Sequence, residues 1–229
     1  MSGATPDAPT ILRHNRIDLA LWQLRPGTGR PLLLLHGLGE TASSCLRDEL
    51  DAWEGPIHGL DFTGHGGSSI ATGGGYFCEI LMADADIALQ HLGSATVVGR
   101  GLGGYIALLI AGARPEQVRG AVILDGAGLH GGGPAPTSLD LNRPAQTGST
   151  PDPVAMTELS RDVRPPDYAR TFAWQASALA GMESAIAIGA VNRPPWLAEV
   201  ASQPGVVECS LADALELFSR APNAPSGAV

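Results

Sequence analysis

The chain has 229 residues, of which 44% are hydrophobic and 16% charged, so it can bury a large core and is not expected to be disordered. Its formal net charge of −9 would repel phosphate backbones, which argues against nucleic acid as a partner. No apolar run is long enough to span a bilayer and no signal peptide is visible, so we expect a cytoplasmic protein with no membrane partner. The three widely spaced cysteines (Cys45, Cys78 and Cys209) fit a reducing compartment, and we expect neither a metal nor a cofactor.

The first third of the chain predicts strands with little helix between them. Residues 10–14 and 17–24 alternate loosely in hydrophobicity, which predicts an antiparallel pair joined by a short turn. The continuous apolar run at 31–35 is typical of a strand that is buried on both faces. A helical stretch is predicted over 43–53, and the next strand over 56–61.

In the rest of the chain, strands alternate with helices. The predicted helices cover residues 76–92, 104–113, 171–179, 195–202 and 211–219, and the predicted strands cover 95–98, 121–124, 184–188 and 205–209. A stretch rich in Gly, Pro, Ser and Thr predicts a short cap excursion over about 126–180. Such alternation predicts an α/β fold in one domain, residues 1–229, with a mostly parallel sheet of about eight strands flanked by helices.

Three glycine-containing motifs follow three of the predicted strands. In chain order they are His36-Gly37-Leu38-Gly39, then Asp61-Phe-Thr-Gly64-His65-Gly66-Gly-Ser68, then Val98-Gly99-Arg100-Gly101-Leu102-Gly103-Gly104. They resemble the oxyanion loop, the D-x-x-G-H-G-x-S loop and the nucleophile elbow (G-x-S-x-G) of the α/β-hydrolase family. The resemblance covers residues from about 10 to 220 and implies the α/β-hydrolase fold.

The same resemblance implies a Ser-Asp-His triad, and this chain departs from it at all three positions. Gly101 stands where the family has its nucleophile, and Asn192, in Gly189-Ala-Val-Asn192, stands where the acid follows the penultimate strand. The loop that would carry the base is missing, and all six histidines precede residue 131. We therefore predict a non-catalytic protein that retains a small-ligand pocket or a partner surface.

Two alternatives remain open at this point. Asp125 ends a predicted strand and His130 follows it, so the pair is a candidate rebuilt acid–base site of an esterase-like hydrolase or a lyase. An ordinary strand-end Asp that caps its own loop explains the same residue. Separately, Gly99-x-Gly101-x-x-Gly104 fits the fingerprint of a dinucleotide-binding protein, with Asp125 at the ribose position. Three ordered motifs favour the hydrolase fold over one short pattern.

The predicted ligand site lies between the oxyanion loop and the elbow. The backbone N–H groups of Leu38 and Leu102 should converge there, because turns rather than side chains supply them. Without a side chain at Gly101, the pocket floor is expected to be enlarged. Together with His36 and Arg100, these residues predict a site for a small carbonyl or carboxylate ligand. The sequence does not indicate an oligomeric state.

Overall fold

The strands form one sheet in a computed structural model that describes residues 8–136 and 144–222. Its eight strands lie in the order β1-β2-β4-β3-β5-β6-β7-β8. They are β1 (Thr10–His14), β2 (Ile17–Arg25), β3 (Leu32–Leu35), β4 (Ile57–Leu60), β5 (Ala95–Arg100), β6 (Val118–Leu124), β7 (Ile186–Ile188) and β8 (Val206–Glu208). The β1–β2 and β2–β4 pairings are antiparallel and all the others are parallel, so the predicted hairpin and the mostly parallel sheet are confirmed.

Helices cover both faces of this sheet. They are α1 (Cys78–Leu92), α2 (Leu102–Ala113), α3 (Pro153–Arg161), α4 (Pro166–Leu179), α5 (Pro195–Ala201) and α6 (Leu211–Ser219). One core cluster holds the buried side chains of α1, α2, α4 and α5, and the second holds those of α6. Within the described ranges, no helix is both long enough and apolar enough to cross a bilayer.

The apolar run at β3 shows why the sheet is buried on both sides. Leu33 and Leu35 belong to one core cluster, and Leu32 and Leu34 belong to the other. Successive side chains of a strand point to opposite faces, so a strand covered on both sides must be apolar at every position. Each leucine is fully buried and contributes roughly 1.5–3 kcal/mol relative to an exposed position.

Two stretches differ from the elements predicted from sequence. Residues 43–53 form two short 3-10 helices, Ala42–Cys45 and Asp48–Ala52, rather than one continuous helix. The excursion between β6 and β7 contains α3, which was not predicted, and α4 begins at Pro166 rather than at 171. The start of α3 nevertheless carries a recognisable signal: the side chain of Asp152 accepts the Val154 N–H, and Pro153 occupies the first helical position.

Carboxylates of the excursion fasten it to the segment that leads into α1. Glu158 accepts the N–H groups of Gly75 and Tyr76, both at 2.8 Å, and Asp162 accepts that of Cys78 at 2.7 Å. The last of these bonds satisfies a donor at the start of α1, which has no capping side chain of its own. The excursion is thereby held against the body of the domain.

Candidate functional site

The candidate site is built on the turn from β5 to α2. Gly101 connects the two elements with φ 58° and ψ −122°, a backbone conformation that is strained for any residue with a Cβ. A Cβ on Gly99 would overlap the Gly103 carbonyl, and a Cβ on Gly103 would overlap that of Leu35. The glycines therefore allow β5, α2 and β3 to approach closely. The sharp strand-to-helix turn lies where the motif predicted it.

Two backbone donors converge beside this turn. The N–H groups of Leu38 and Leu102 point at the same oxygen, at N–O distances of 3.0 and 2.8 Å. Leu102 is the first residue of α2, so the positive end of the helix dipole reinforces the attraction for that oxygen. The oxygen is the chain's own: it is the carbonyl oxygen of Ala127, in the loop after β6.

Residues 126–128, called the plug below, fill the space above the elbow. A Cβ on Gly101 would overlap the Ala127 carbonyl oxygen and would lie 2.5 Å from the Gly126 carbonyl carbon. The glycines on either side of Ala127 make this approach possible, because a Cβ on Gly126 would lie 2.8 Å from the Gly101 nitrogen and one on Gly128 would lie 2.8 Å from Leu38 Cβ. The expectation of an enlarged pocket floor is therefore wrong, because the plug occupies that volume.

One end of the plug is fixed by Asp125, the residue immediately before it. The Asp125 carboxylate accepts hydrogen bonds from the Val191 N–H at 2.6 Å, the Asn192 N–H at 3.1 Å and the Asn192 side-chain amide at 2.8 Å. Burial acts to raise the pKa of Asp125, but these hydrogen bonds and the nearby Arg193 outweigh it and hold the pKa below its usual value. Asn192, which the resemblance places at the family's acid position, and Asp125, the predicted substitute acid, are thus direct partners.

The other end of the plug is fixed by Leu129. Its carbonyl oxygen accepts hydrogen bonds from the indole N–H of Trp196, at 3.0 Å, and from the guanidinium of Arg164. Both donors are 1% exposed, and both pack on Tyr105: Trp196 meets it edge to face at 4.9 Å between ring centroids, and Arg164 lies over its ring at 4.7 Å. This anchor is part of the core.

His36 and Arg100, both predicted to bind a ligand, instead support the oxyanion loop. His36 is fully buried, its Nε2 accepts the Phe62 N–H at 3.1 Å, and its Nδ1 donates to the Gly37 carbonyl at 2.7 Å. Burial, with a smaller contribution from His65, lowers the pKa of His36 to about 3, so the ring is neutral. Arg100 pairs with Glu40 at 2.8 Å, and the second oxygen of Glu40 accepts the Gly37 N–H at 3.0 Å.

The remaining predictions concern His130 and the connection between β8 and α6. His130 is exposed, and in residues 8–136 and 144–222 no hydrogen bond joins it to Asp125. Between β8 and α6 the chain has only Cys209 and Ser210, and the Ser210 side chain caps α6 by accepting the Asp213 N–H at 3.2 Å. The short connection predicted at this point is present.

The dinucleotide alternative meets an obstacle at the start of α2. A bound pyrophosphate would have to lie against the first N–H groups of that helix. The plug occupies this place, since the Leu102 N–H is bonded to Ala127. Asp125, the candidate ribose ligand, is already engaged by Val191 and Asn192.

Comparison with known proteins identifies the family. Residues 32–225 match the model of the alpha/beta hydrolase family, and the chain belongs to that family. It is 33% identical over 111 residues to the lipase LipV of Mycobacterium tuberculosis, an alignment that covers 48% of this chain and 42% of the relative. It is also 33% identical over 108 residues to the dihydrolipoyllysine-residue acetyltransferase component of an acetoin cleaving system from Pseudomonas putida, covering 44% and 28% of the two chains. The chain thus spans less than half of the length of either curated relative.

Solved structures show the same fold over nearly the whole chain. A thioesterase domain from the curacin biosynthetic pathway superimposes with a TM-score of 0.65 at 16% identity, covering 94% of this chain and 99% of that one. An N-formylmaleamic acid deformylase from Pseudomonas putida gives a TM-score of 0.63 at 17% identity, with coverage of 91% and 94%. The predicted α/β-hydrolase fold is confirmed.

Sequence reasoning missed Ala127, the residue whose carbonyl oxygen accepts both the Leu38 and the Leu102 N–H. The only local signal is the pair of glycines that flanks it, Gly126 and Gly128, directly after a strand-end aspartate. Such a pair is common in ordinary loops, so it does not by itself point to the oxyanion hole. The contact depends on which strands are neighbours in the sheet.

Proposed function

We propose that this protein is a member of its family that does not hydrolyse esters, and that its elbow serves as a closed structural turn. The observation that carries the proposal is the position of Ala127: its carbonyl takes both N–H donors that would otherwise stabilise the oxyanion of a substrate. Acyl transfer also needs a nucleophile at the apex of the turn, and Gly101 has no side chain to supply one.

The other two positions of the implied triad support the same proposal. Asn192 has no charge with which to stabilise an imidazolium, and its amide is already bonded to Asp125. Cys209 and Ser210 are the only residues between β8 and α6, so this connection brings no imidazole to the elbow. A serine placed at Gly101 would find no general base from this direction.

The proposal is compatible with a small carbonyl or carboxylate ligand at Leu38 and Leu102, provided that the ligand can displace the plug. Because Ala127 already satisfies both donors, such a ligand must displace the plug and offer at least as good an acceptor. In this proposal His36 and Arg100 act indirectly, by holding the loop that presents the Leu38 N–H.

Catalysis is the competing proposal, and the names of the relatives favour it: a lipase, a deformylase and a thioesterase are among them. In that proposal Asp125 and His130 would form the rebuilt site. His130 would then have to move toward Asp125, whose carboxylate already accepts three hydrogen bonds from other groups.

Two measurements on the purified chain decide between these proposals. We expect no covalent labelling by a fluorophosphonate, which reports activated serines, and no turnover of p-nitrophenyl acetate above the rate in buffer. An active lipase serves as the positive control for both. Labelling of a serine, located by mass spectrometry, would contradict the proposal. Turnover that disappears in both Asp125→Ala and His130→Ala would establish the rebuilt site instead.

A further inference from the structure

The plug is fastened at both ends, and the two fastenings differ in their access to solvent. At Leu129, the two donors come from buried side chains of the core. At Asp125, the donors lie on the surface, where the neighbouring Val191 is 83% exposed. A fastening made of hydrogen bonds at the surface can exchange its partners with water, whereas one inside the core cannot.

We propose that Asp125 and the Val191–Asn192 peptide form a releasable clasp that holds Ala127 in the oxyanion hole. When the clasp opens, the plug swings about its Leu129 anchor and frees the N–H groups of Leu38 and Leu102. Asn192, at the family's acid position, is then a positioning residue for the plug. This inference rests on the proposed function, because it treats the plugged hole as the resting state of the protein.

The chemistry of the clasp explains why an amide suits position 192. The Asn192 side chain donates to Asp125 Oδ1 at 2.8 Å, and its backbone N–H donates to the same oxygen at 3.1 Å. An aspartate at this position would replace the donating amide with a second carboxylate and bring two negative oxygens together. The Asn192 amide therefore holds the Asp125 carboxylate in place, whereas an aspartate at position 192 would repel it.

The backbone of the plug is suited to such a movement. Gly126 and Gly128 bracket Ala127, and three further glycines follow Leu129 and His130, at 131–133. Gly128, Gly131 and Gly133 have positive φ, so they already use conformations that other residues avoid. Beyond Leu129 the chain is held in place, because the Gly132 N–H donates to the Asp162 carbonyl and the Gly133 carbonyl accepts the Arg164 N–H, both at 2.8 Å. The movement is therefore confined to residues 126–128, where Gly126 and Gly128 restrict backbone rotation least.

The test measures opening of the plug directly, by amide hydrogen exchange at Leu38 and Leu102 followed by NMR. Both amides are bonded to Ala127, so their exchange rates report the fraction of molecules in which the plug has left. We expect Asn192→Asp and Asp125→Asn to speed the exchange of both amides by roughly tenfold or more. Asn192→Ala removes one bond and leaves two backbone donors, so its effect should be smaller.

A matched control separates this effect from general loosening of the fold. Glu158→Gln also neutralises a carboxylate that accepts two backbone N–H groups, but those belong to Gly75 and Tyr76, away from the plug. It should leave the Leu38 and Leu102 amides unchanged. Amides of β3 should keep their protection in every variant, which verifies that the variants remain folded.

Unchanged exchange at Leu38 and Leu102 in Asp125→Asn, with β3 still protected, would overturn the clasp. Equal acceleration throughout the chain would overturn it as well, because the clasp would then be a general stabilising contact. Neither result bears on hydrolysis, which the labelling and turnover assays measure on the unmodified chain. Failure of the clasp and failure of the proposed function are therefore seen in different experiments.

Discussion

Gly101→Ala is the substitution that most directly tests the arrangement of the elbow. The change adds a single Cβ at φ 58° and ψ −122°, a conformation that costs a residue other than glycine about 1–3 kcal/mol. The same Cβ would overlap the Ala127 carbonyl oxygen and lie 2.5 and 2.7 Å from the Gly126 carbonyl carbon and the Ala127 nitrogen. These are backbone atoms, so no side-chain rotation can relieve the overlap.

The contact between the added Cβ and the plug lowers the stability further, in one of two ways. If the plug stays in place, overpacking costs about 1–3 kcal/mol. If the plug is expelled, the hydrogen bonds from Leu38 and Leu102 to Ala127 are lost, at about 0.5–1.5 kcal/mol each. We therefore expect the free energy of unfolding to fall by roughly 2–6 kcal/mol, a large part of the stability of an ordinary domain.

The assay is urea denaturation of Gly101→Ala beside Gly181→Ala. Gly181 has a similar φ of 63° but has nothing within 4 Å of an added Cβ, so its substitution measures the cost of a positive φ without the contact. The excess loss at Gly101 over Gly181 then contains the contact with the plug together with the cost of the Gly101 ψ of −122°. Equal losses in the two variants would refute the reasoning, because Ala127 would not be occupying the space above the elbow.

Two further predictions concern the elbow and a buried carboxylate outside it. Gly101→Ser should destabilise the chain about as much as Gly101→Ala and should give no turnover of p-nitrophenyl acetate, because no base reaches the elbow from the β8–α6 connection; measurable turnover would contradict this. Asp84, which accepts the Thr63 N–H and contacts the His14 ring, is fully buried, and burial raises its pKa from 3.8 to about 6 against the opposing hydrogen bonds from Thr63 and His14. The native state therefore binds this proton more tightly than the unfolded chain, so the stabilisation is complete below about pH 4 and is lost as the pH rises through 6. Measured against Asp84→Asn, which does not titrate, the stability of the wild type should fall by up to about 3 kcal/mol over this interval. A flat difference would show that folding does not raise the pKa of Asp84.

Local sequence determined the elements and the order of the motifs. The run of leucines at β3 requires cover on both faces, and the glycines around Gly101 permit a tight turn from strand to helix. Both are patterns of neighbouring residues in the chain, so the sequence displays them directly. The signal for the start of α3, the Asp152–Pro153 cap, is equally local. It was missed because the surrounding sequence is rich in Gly and Pro and predicts a loop. Residues 43–53 contain no glycine or proline, so the sequence carries no local sign that two short 3-10 helices replace the single predicted helix.

Tertiary structure alone decided what occupies the elbow. The order β3-β5-β6-β7 brings together the carboxyl ends of four parallel strands, and from these ends come Leu38, Gly101, Ala127 and Asn192. These residues are far apart in the chain, and none of their contacts follows from a local pattern. The sequence shows that Gly101 has no side chain, but only the packed sheet determines that a neighbouring carbonyl fills the space and satisfies both donors. Backbone N–H groups that are removed from water need an acceptor, and here the Ala127 carbonyl supplies it.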